Sequence, residues 1–473
     1  MSEISKRPII RNLSFALLAQ LVFLFASTAI QFIGPKFLDV EDFAYWQLFW
    51  FYISYVGISR LGISDGIYLR SGGKHRKDLD LGALKAEFLI YSIIQIFVAV
   101  AMALLAIAFV EDKNRAYVLL ACAVGLVIIN NNSFFCLLFQ SINETKTSSI
   151  SEITWNSLRL FSIIPLAFAN TKSFKIIIVS YIIGTIISAI YLFYKAQFIF
   201  KAKAKWDKSI FVDLKNDILT GVPILISAYA SMLIPGVARF VVDGHWGIEV
   251  FGYISFTLSL TTFILKFLSQ ISMVMFPVLC SVNEENRAKF FTLGGSLLSF
   301  IMPAILIIYV PLKFFINWWL PEYSTSLVFF GIMFPLCIFD SKMQLLYSTY
   351  FKVLQKPRHL LYVNIVAVIV SFAFSIISAY MLDNVTLIAW GLLLSFVIRS
   401  LISEALISKW LSSAPPKILT VTELILLAGF SAMSMLMSDI SFFIIYLILY
   451  IAYLIINKNT FKESFSILRT KLA

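Results

Sequence analysis

Nine ionisable residues stand inside long apolar runs of this chain, and their types set the chemistry open to it. Six are cations: Arg60, Arg159, Arg239, Lys266, Lys342 and Arg399. Three are acids: Glu152, Asp340 and Glu404. A charge at such a position is costly in hydrocarbon unless it meets a partner or a water-filled cavity. Six against three leaves cations unmatched, so the expected arrangement is an aqueous cavity whose positive potential draws an anionic ligand. Arginine suits phosphate, because its planar fork donates two hydrogen bonds to phosphate oxygens. Arg60 has no acid within one turn on its own helix face and is the first candidate ligand, with Lys266 next; Arg159, Arg239 and Arg399 complete the expected substrate-binding set. Asp340, Glu152 and Glu404 are the candidates for coupling to H+ or Na+.

Simpler pairings compete with these roles. Glu152 and Arg159 are seven apart, two turns along one helix face, and are spaced to pair with each other. Arg239 and Asp243 are four apart, the spacing of an ion pair at a helix end. Arg399 and Glu404, five apart, match poorly within one helix, which points each towards a neighbouring helix. Lys342 does not share a helix face with Asp340 and need not neutralise it. Lys313 is placed to reach an interface with its long stem.

Enzyme motifs are missing. The phosphate-binding loop G-x-x-x-x-G-K-[ST] does not occur, since Gly72-Gly73-Lys74 lacks both the spacing and the hydroxyl. Neither G-x-S-x-G nor H-E-x-x-H is present, and His75, His245 and His359 are scattered. Asp78-x-Asp80 resembles the metal-holding pair of sugar-nucleotide transferases but sits in a short basic stretch with no room for a nucleotide-binding domain. Cys122, Cys136, Cys280 and Cys337 lie in apolar runs without metal-ligand spacing and read as small buried hydrophobes. No cofactor is expected.

The elements that must position these residues are set by composition. Of 473 residues 60% are hydrophobic and 14% charged, against about 25% charged in soluble domains, and the mean hydropathy is +0.89. The long, continuous apolar runs exclude a β-barrel, whose strands alternate apolar and polar residues. A spanning helix takes roughly 20 apolar residues. On that scale we expect an all-α polytopic membrane protein with about fourteen transmembrane helices: 13–33, 43–63, 88–110, 116–138, 150–169, 174–193, 218–240, 250–278, 290–314, 326–346, 361–382, 387–407, 419–437 and 442–456. The first is too long for a signal-peptide core and is expected to remain as a helix.

If those spans alternate, 26 Lys and Arg fall in connections and termini on one side and five (Lys36, Lys113, Arg115, Lys172, Lys175) on the other. That asymmetry places both termini in the cytoplasm. It also accounts for most of the net charge of +12 without a nucleic-acid partner.

A lysine-rich stretch divides the chain. Residues 1–198 are expected to form a six-helix lobe, 199–216 a basic cytoplasmic linker able to lie on anionic membrane lipids, 217–408 a second six-helix lobe, and 409–473 two further helices with a tail. Glu41-Asp42-Phe43-Ala44-Tyr45 and Glu249-Val250-Phe251-Gly252-Tyr253 occupy the same topological place in each lobe. Repeats of like orientation are the arrangement of two-lobed transporters around a central cavity. Pro223 and Pro235, beside Gly221 and Gly236, loosen the first helix of the second lobe, which suits a bending element.

Three segments carry a family resemblance. Gly62-Ile63-Ser64-Asp65-Gly66-Ile67-Tyr68-Leu69-Arg70, Leu320-Pro321-Glu322-Tyr323 and Lys352-Val353-Leu354-Gln355-Lys356-Pro357-Arg358 resemble the corresponding loops of polysaccharide-biosynthesis flippases, often called Wzx, in the MOP superfamily. The resemblance runs over most of the chain through span count and loop positions, with family-level motifs. It implies a non-enzymatic flippase of the bacterial inner membrane. Its substrate would be an undecaprenyl-pyrophosphate-linked oligosaccharide for O-antigen, lipopolysaccharide or capsule, delivered to other polysaccharide-assembly proteins. It implies substrate-facing roles for Arg60 and Arg239. The competing expectations are a MATE-like multidrug or cation antiporter, which would want an acidic cavity, and a membrane polysaccharide polymerase, which would want a large outside domain.

Overall fold

A computed structural model describes the backbone of residues 6–161, 164, 173–281 and 283–464; among these, the side chains of 6–13, 264, 266–278 and 280–281 are not described. Every regular element among the described residues is helical, as hydrocarbon requires of a chain that must satisfy its backbone within each segment. The residues cluster into two units, Met1–Tyr229 and Ala230–Ala473.

The first unit holds α1 (Lys6–Phe37), α2 (Val40–Tyr55), α3 (Ile63–Ser71), α4 (Leu81–Phe109), α5 (Lys113–Ser141), α6 (Thr145–Phe161), α7 (Phe174–Lys195) and α8 (Gln197–Lys201), and the unit boundary falls within α9 (Lys208–Trp246). The second continues with α10 (Ile248–Ser281), α11 (Glu284–Ile305), α12 (Tyr309–Trp319), α13 (Ser326–Met333), α14 (Leu336–Lys342), α15 (Ser348–Val353), α16 (Pro357–Ile376), α17 (Val385–Leu411), α18 (Lys417–Leu436) and α19 (Asp439–Ile456). Ten helices among the described residues are long and apolar enough to cross a membrane, and α13 with α14–α15, bent by 44°, makes an eleventh if counted as one span. The other expected spans fall on α2, which is 16 residues long and continues as a 3-10 turn, on α6, whose continuation is outside the described residues, and on α10. The molecule is an all-α polytopic membrane protein.

Short polar residues start the helices. Asp39, Asp80, Asp112, Asn283 and Asn384 each accept a backbone N–H from the first turn of the adjoining helix, satisfying donors that have no partner inside the helix. Ala83 N–H, with Lys205 beside it, holds the Asp80 carboxyl below the usual carboxylate range.

The lysine-rich stretch is pinned rather than loose. Lys85 on α4 donates to the carbonyls of Phe200 and Ala202 at 2.7 and 2.8 Å, and Lys205 N–H donates to Gly82 O at 3.1 Å. The segment 208–216, expected as linker, is the helical start of α9. That helix is continuous past Pro223 and Pro235. It packs on α3 backbone to backbone: a Cβ on Gly221 would lie 1.9 Å from Gly62 O, and one on Gly66 would lie 2.2 Å from Asp217 O. Gly62 itself has φ +75°, a left-handed conformation that glycine adopts without steric cost.

In the second unit, α18 and α19 are fastened to α11 by side chains. Pro303 in α11 has no N–H, so the carbonyl of Ser299 one turn earlier loses its helical donor. Tyr453 of α19 supplies the missing bond at 2.8 Å, while Tyr450 and Tyr446 donate to Phe300 O and Pro303 O at 2.9 and 2.8 Å. Their spacing, 446, 450 and 453, puts all three hydroxyls on one face of α19.

These contacts set two expected stability outcomes. Gly221→Ala should lower the thermal unfolding midpoint of the detergent-solubilised protein by the equivalent of about 1–3 kcal/mol of overpacking, while Gly244→Ala on the same helix, where a Cβ meets nothing within 4 Å, leaves it unchanged. Tyr453→Phe leaves Ser299 O without a donor and should cost about 1–3 kcal/mol in the same assay.

Candidate functional site: buried charges and a polar cavity

Arg60 stands at a break in a helix. After α2 the chain tightens into one 3-10 turn, Val56–Arg60, then reverses through Leu61 (φ 52°) and Gly62 (φ 75°) into α3. The carbonyls freed by the break are met from two other helices: Gln95 of α4 donates to Ser59 O at 3.0 Å, and Asn130 of α5 donates to Val56 O at 3.0 Å. Arg60 is half-buried, donates through Nε to Gly57 O at 3.2 Å, and has the Tyr229 hydroxyl beside it over Gly57. Asp65, one turn into α3, faces it electrostatically, yet no carboxylate lies within ion-pair distance of Arg60 among the described residues.

A cavity of about 340 Å³ with a mixed polar and apolar lining opens among α1, α5, α6 and α7 of the first unit. Its lining includes Gln20, Asn132, Glu152, Asn156, Thr185 and Ser188. The amide oxygens of Asn132 and Asn156 are themselves buried and accept no hydrogen bond among the described residues. Glu152 faces the cavity without a cation in ion-pair reach among the described residues. The pairing with Arg159 suggested by spacing does not form: Arg159 is buried with its guanidinium 4.7 Å from the Trp50 ring centroid and 5.6 Å from that of Trp155, a cation–π arrangement.

Two buried cations of the second unit are compensated by carboxylates from other helices. Arg399 of α17 donates to Asp340 of α14 at 3.0 Å, to Asn364 at 2.8 Å and to the Ser231 hydroxyl at 3.2 Å. Two residues along α14, on another face, Lys342 meets Glu423 of α18 at 2.5 Å and the Ser299 hydroxyl at 2.7 Å. A π-turn over Met343–Tyr347 comes directly after; such turns occur often at functional positions. From it, Tyr347 donates to Glu404 at 2.8 Å, and Thr420 donates to the same carboxylate at 3.1 Å. Arg239 is half-buried on α9. The side chain of Lys266 lies outside the described residues.

The charge balance at membrane depth differs from the sequence count. Glu423 lies inside the expected span 419–437 and is missing from that count; it neutralises Lys342. Asp340 neutralises Arg399. The excess of cations is therefore smaller than six against three, and Arg60 is where it is most evident. Of the eight candidate residues, Arg60, Glu152 and Arg159 belong to the first unit, and Arg239, Lys266, Asp340, Arg399 and Glu404 to the second.

The fold has known relatives. The chain is similar to an inward-facing multidrug-resistance MATE transporter of the MOP superfamily, with TM-score 0.63 and 12% identity over 85% of this chain and 98% of that one. It is similar to the lipid II flippase MurJ in an inward closed conformation, with TM-score 0.64 and 13% identity over 96% of this chain and 99% of that one. A MATE transporter in its outward-facing conformation aligns at TM-score 0.56 and 11% identity over 85% and 95%. No protein-family profile and no curated protein matches the sequence. What the chain shares with these structures is the all-helical polytopic fold.

The buried pair yields a test of its own. Glu423→Gln or Lys342→Met leaves one buried charge uncompensated and should cost about 3–5 kcal/mol, whereas the double variant should recover most of the loss, read as thermal unfolding midpoints in a double-mutant cycle.

Proposed function

We propose that this protein is a flippase that carries an undecaprenyl-pyrophosphate-linked oligosaccharide from the cytoplasmic to the outer leaflet of the bacterial inner membrane by alternating access, for O-antigen or capsule biosynthesis. In this proposal both termini are cytoplasmic, two six-helix lobes are joined by the basic linker, and the product passes to other polysaccharide-assembly proteins. The observation that carries it is Arg60: a half-buried guanidinium at a helix break, without an ion pair among the described residues, on a fold that includes a lipid II flippase among its relatives. A diphosphate supplies the direct anionic partner that Arg60, with Asp65 beyond ion-pair distance, lacks, and the planar fork binds it bidentately. Arg239 and Lys266 are proposed as further contacts, and Glu152, which faces the cavity, as the leading residue for coupling to H+ or Na+, with Asp340 and Glu404 behind it. Arg159 and Arg399, held by indoles and by Asp340, are proposed to reach substrate only if those contacts open.

A second reading has one observation in its favour. The cavity is lined by Glu152, an acid with no ion pair among the described residues, which would suit export of a small organic cation, the activity of a MATE-like antiporter.

Deletion of the gene separates the two. The flippase reading expects a lipid-linked glycan to accumulate on the cytoplasmic leaflet and surface glycan to disappear; the antiporter reading expects unchanged glycan and altered sensitivity to cationic drugs. In a complemented strain, Arg60→Ala should lower surface glycan by about tenfold, the loss of one charge-assisted bidentate contact, with Arg60→Lys recovering part of it. Normal glycan in both the deletion strain and the Arg60→Ala strain would reject the flippase.

A further inference from the structure

Away from Arg60 and the Glu152 cavity, one guanidinium in the first unit is shared by three carboxylates. Arg70, at the C-terminal end of α3, lies 2.6 Å from Glu87 of α4, 3.0 Å from Asp217 and 3.8 Å from Asp213, both of α9. Glu87 is fully buried and the Asp217 side chain is 3% exposed. With all groups ionised the cluster carries two negative charges in excess, and the Glu87 Oε1 atom has no hydrogen-bond partner. A fully buried carboxylate whose one counter-charge, Arg70, is shared with two other acids is a costly arrangement.

We propose that Glu87 is a proton-binding site whose occupancy sets how firmly Arg70 ties α9 to α3. A metal ion is disfavoured, because the guanidinium already stands within 3.8 Å of all three acids and would repel it. A proton instead bonds to the carboxyl and removes one negative charge without needing space. Once Glu87 is neutral, Arg70 is no longer divided between two buried carboxylates, and its attraction concentrates on Asp217. That contact sits four residues before Gly221, where α9 meets α3 backbone to backbone, so a change at Arg70 is transmitted to a tightly packed helix pair. Protons reach the cluster from solvent, since Arg70 is 33% and Asp213 39% exposed and a cleft of about 70 Å³ is lined by Arg70 with Lys74 and Asp80. Lys74 and Asp80 are the other charges on that cleft; Lys85, also on α4, is turned to the Phe200 and Ala202 carbonyls. The site requires no substrate assignment, so it stands or falls apart from the flippase reading.

Infrared difference spectroscopy on the full-length protein in lipid nanodiscs tests it. Acidification of the wild type should produce a carboxylic-acid C=O band that Glu87→Gln abolishes and Glu152→Gln retains. Asp217→Asn, which removes one neighbouring negative charge, should move the midpoint of that band to lower pH by about one unit, a tenfold weaker proton affinity. A wild-type spectrum with no band that Glu87→Gln removes overturns the proposal. Should Glu87→Gln fail to fold, Asp217→Asn decides alone: an unmoved midpoint overturns it equally.

Discussion

The governing constraint is the cost of an uncompensated charge in a medium without water. Each ionised side chain the apolar helices carry must find an opposite charge, an aromatic face or a polar cavity, and the described residues use all three. Lys342 and Arg399 take carboxylates from other helices, Arg159 takes two indoles, and Glu152 faces the cavity. These choices fix which helices touch. The pair Lys342–Glu423 holds α14 to α18, and Asp340–Arg399 holds α14 to α17, so one short helix is gripped on two faces by opposite charges. Arg60 obeys the constraint least fully, which is why it carries the proposed function.

The same shortage of water acts on the backbone. At two interruptions among the described residues, the freed groups are met by side chains from other helices. Gln95 and Asn130 satisfy the carbonyls around the turn before Arg60, and Tyr453 replaces the donor that Pro303 removes. An interruption in such a protein is therefore a junction between helices. At one of them the chain also sets down a charged side chain, because the turn that breaks α2 is what brings Arg60 to its end. The π-turn after Lys342 has a related effect: it re-aims Tyr347 onto Glu404 within one helical segment of the two buried ion pairs.

The class of protein is legible in the sequence. Continuous apolar runs, scarce charge and one-sided lysines point to an all-helical polytopic chain, and the loops after the second, ninth and tenth expected spans point to the superfamily whose fold the structure shares. Part of the site is legible too: that Lys342 and Asp340 occupy different faces comes from two-residue spacing on a helix, and Arg399 finds its acid on another helix, as its poor spacing to Glu404 requires. Glu152 and Arg159 mislead. Two turns on one face allow a pair, but Trp155, four residues before Arg159 on the same helix, and Trp50 on α2 compete for the guanidinium; spacing shows the first indole and is silent about the second. Glu423 carries a readable signal that the count of membrane charges omits, a lone acid within an apolar run of the kind that marks a buried counter-charge.

By itself, the sequence determined the properties that composition and helical period encode: the solvent, the helix content and the residues that need compensation. Which partner compensates each was decided only in three dimensions. Asp340 is 59 positions from Arg399, Lys342 is 81 from Glu423, and Glu87 and Asp217 meet Arg70 from two other helices. A helix repeats over three or four residues, so its period carries no information about contacts at that range; those are set by how the helices pack and where their breaks fall.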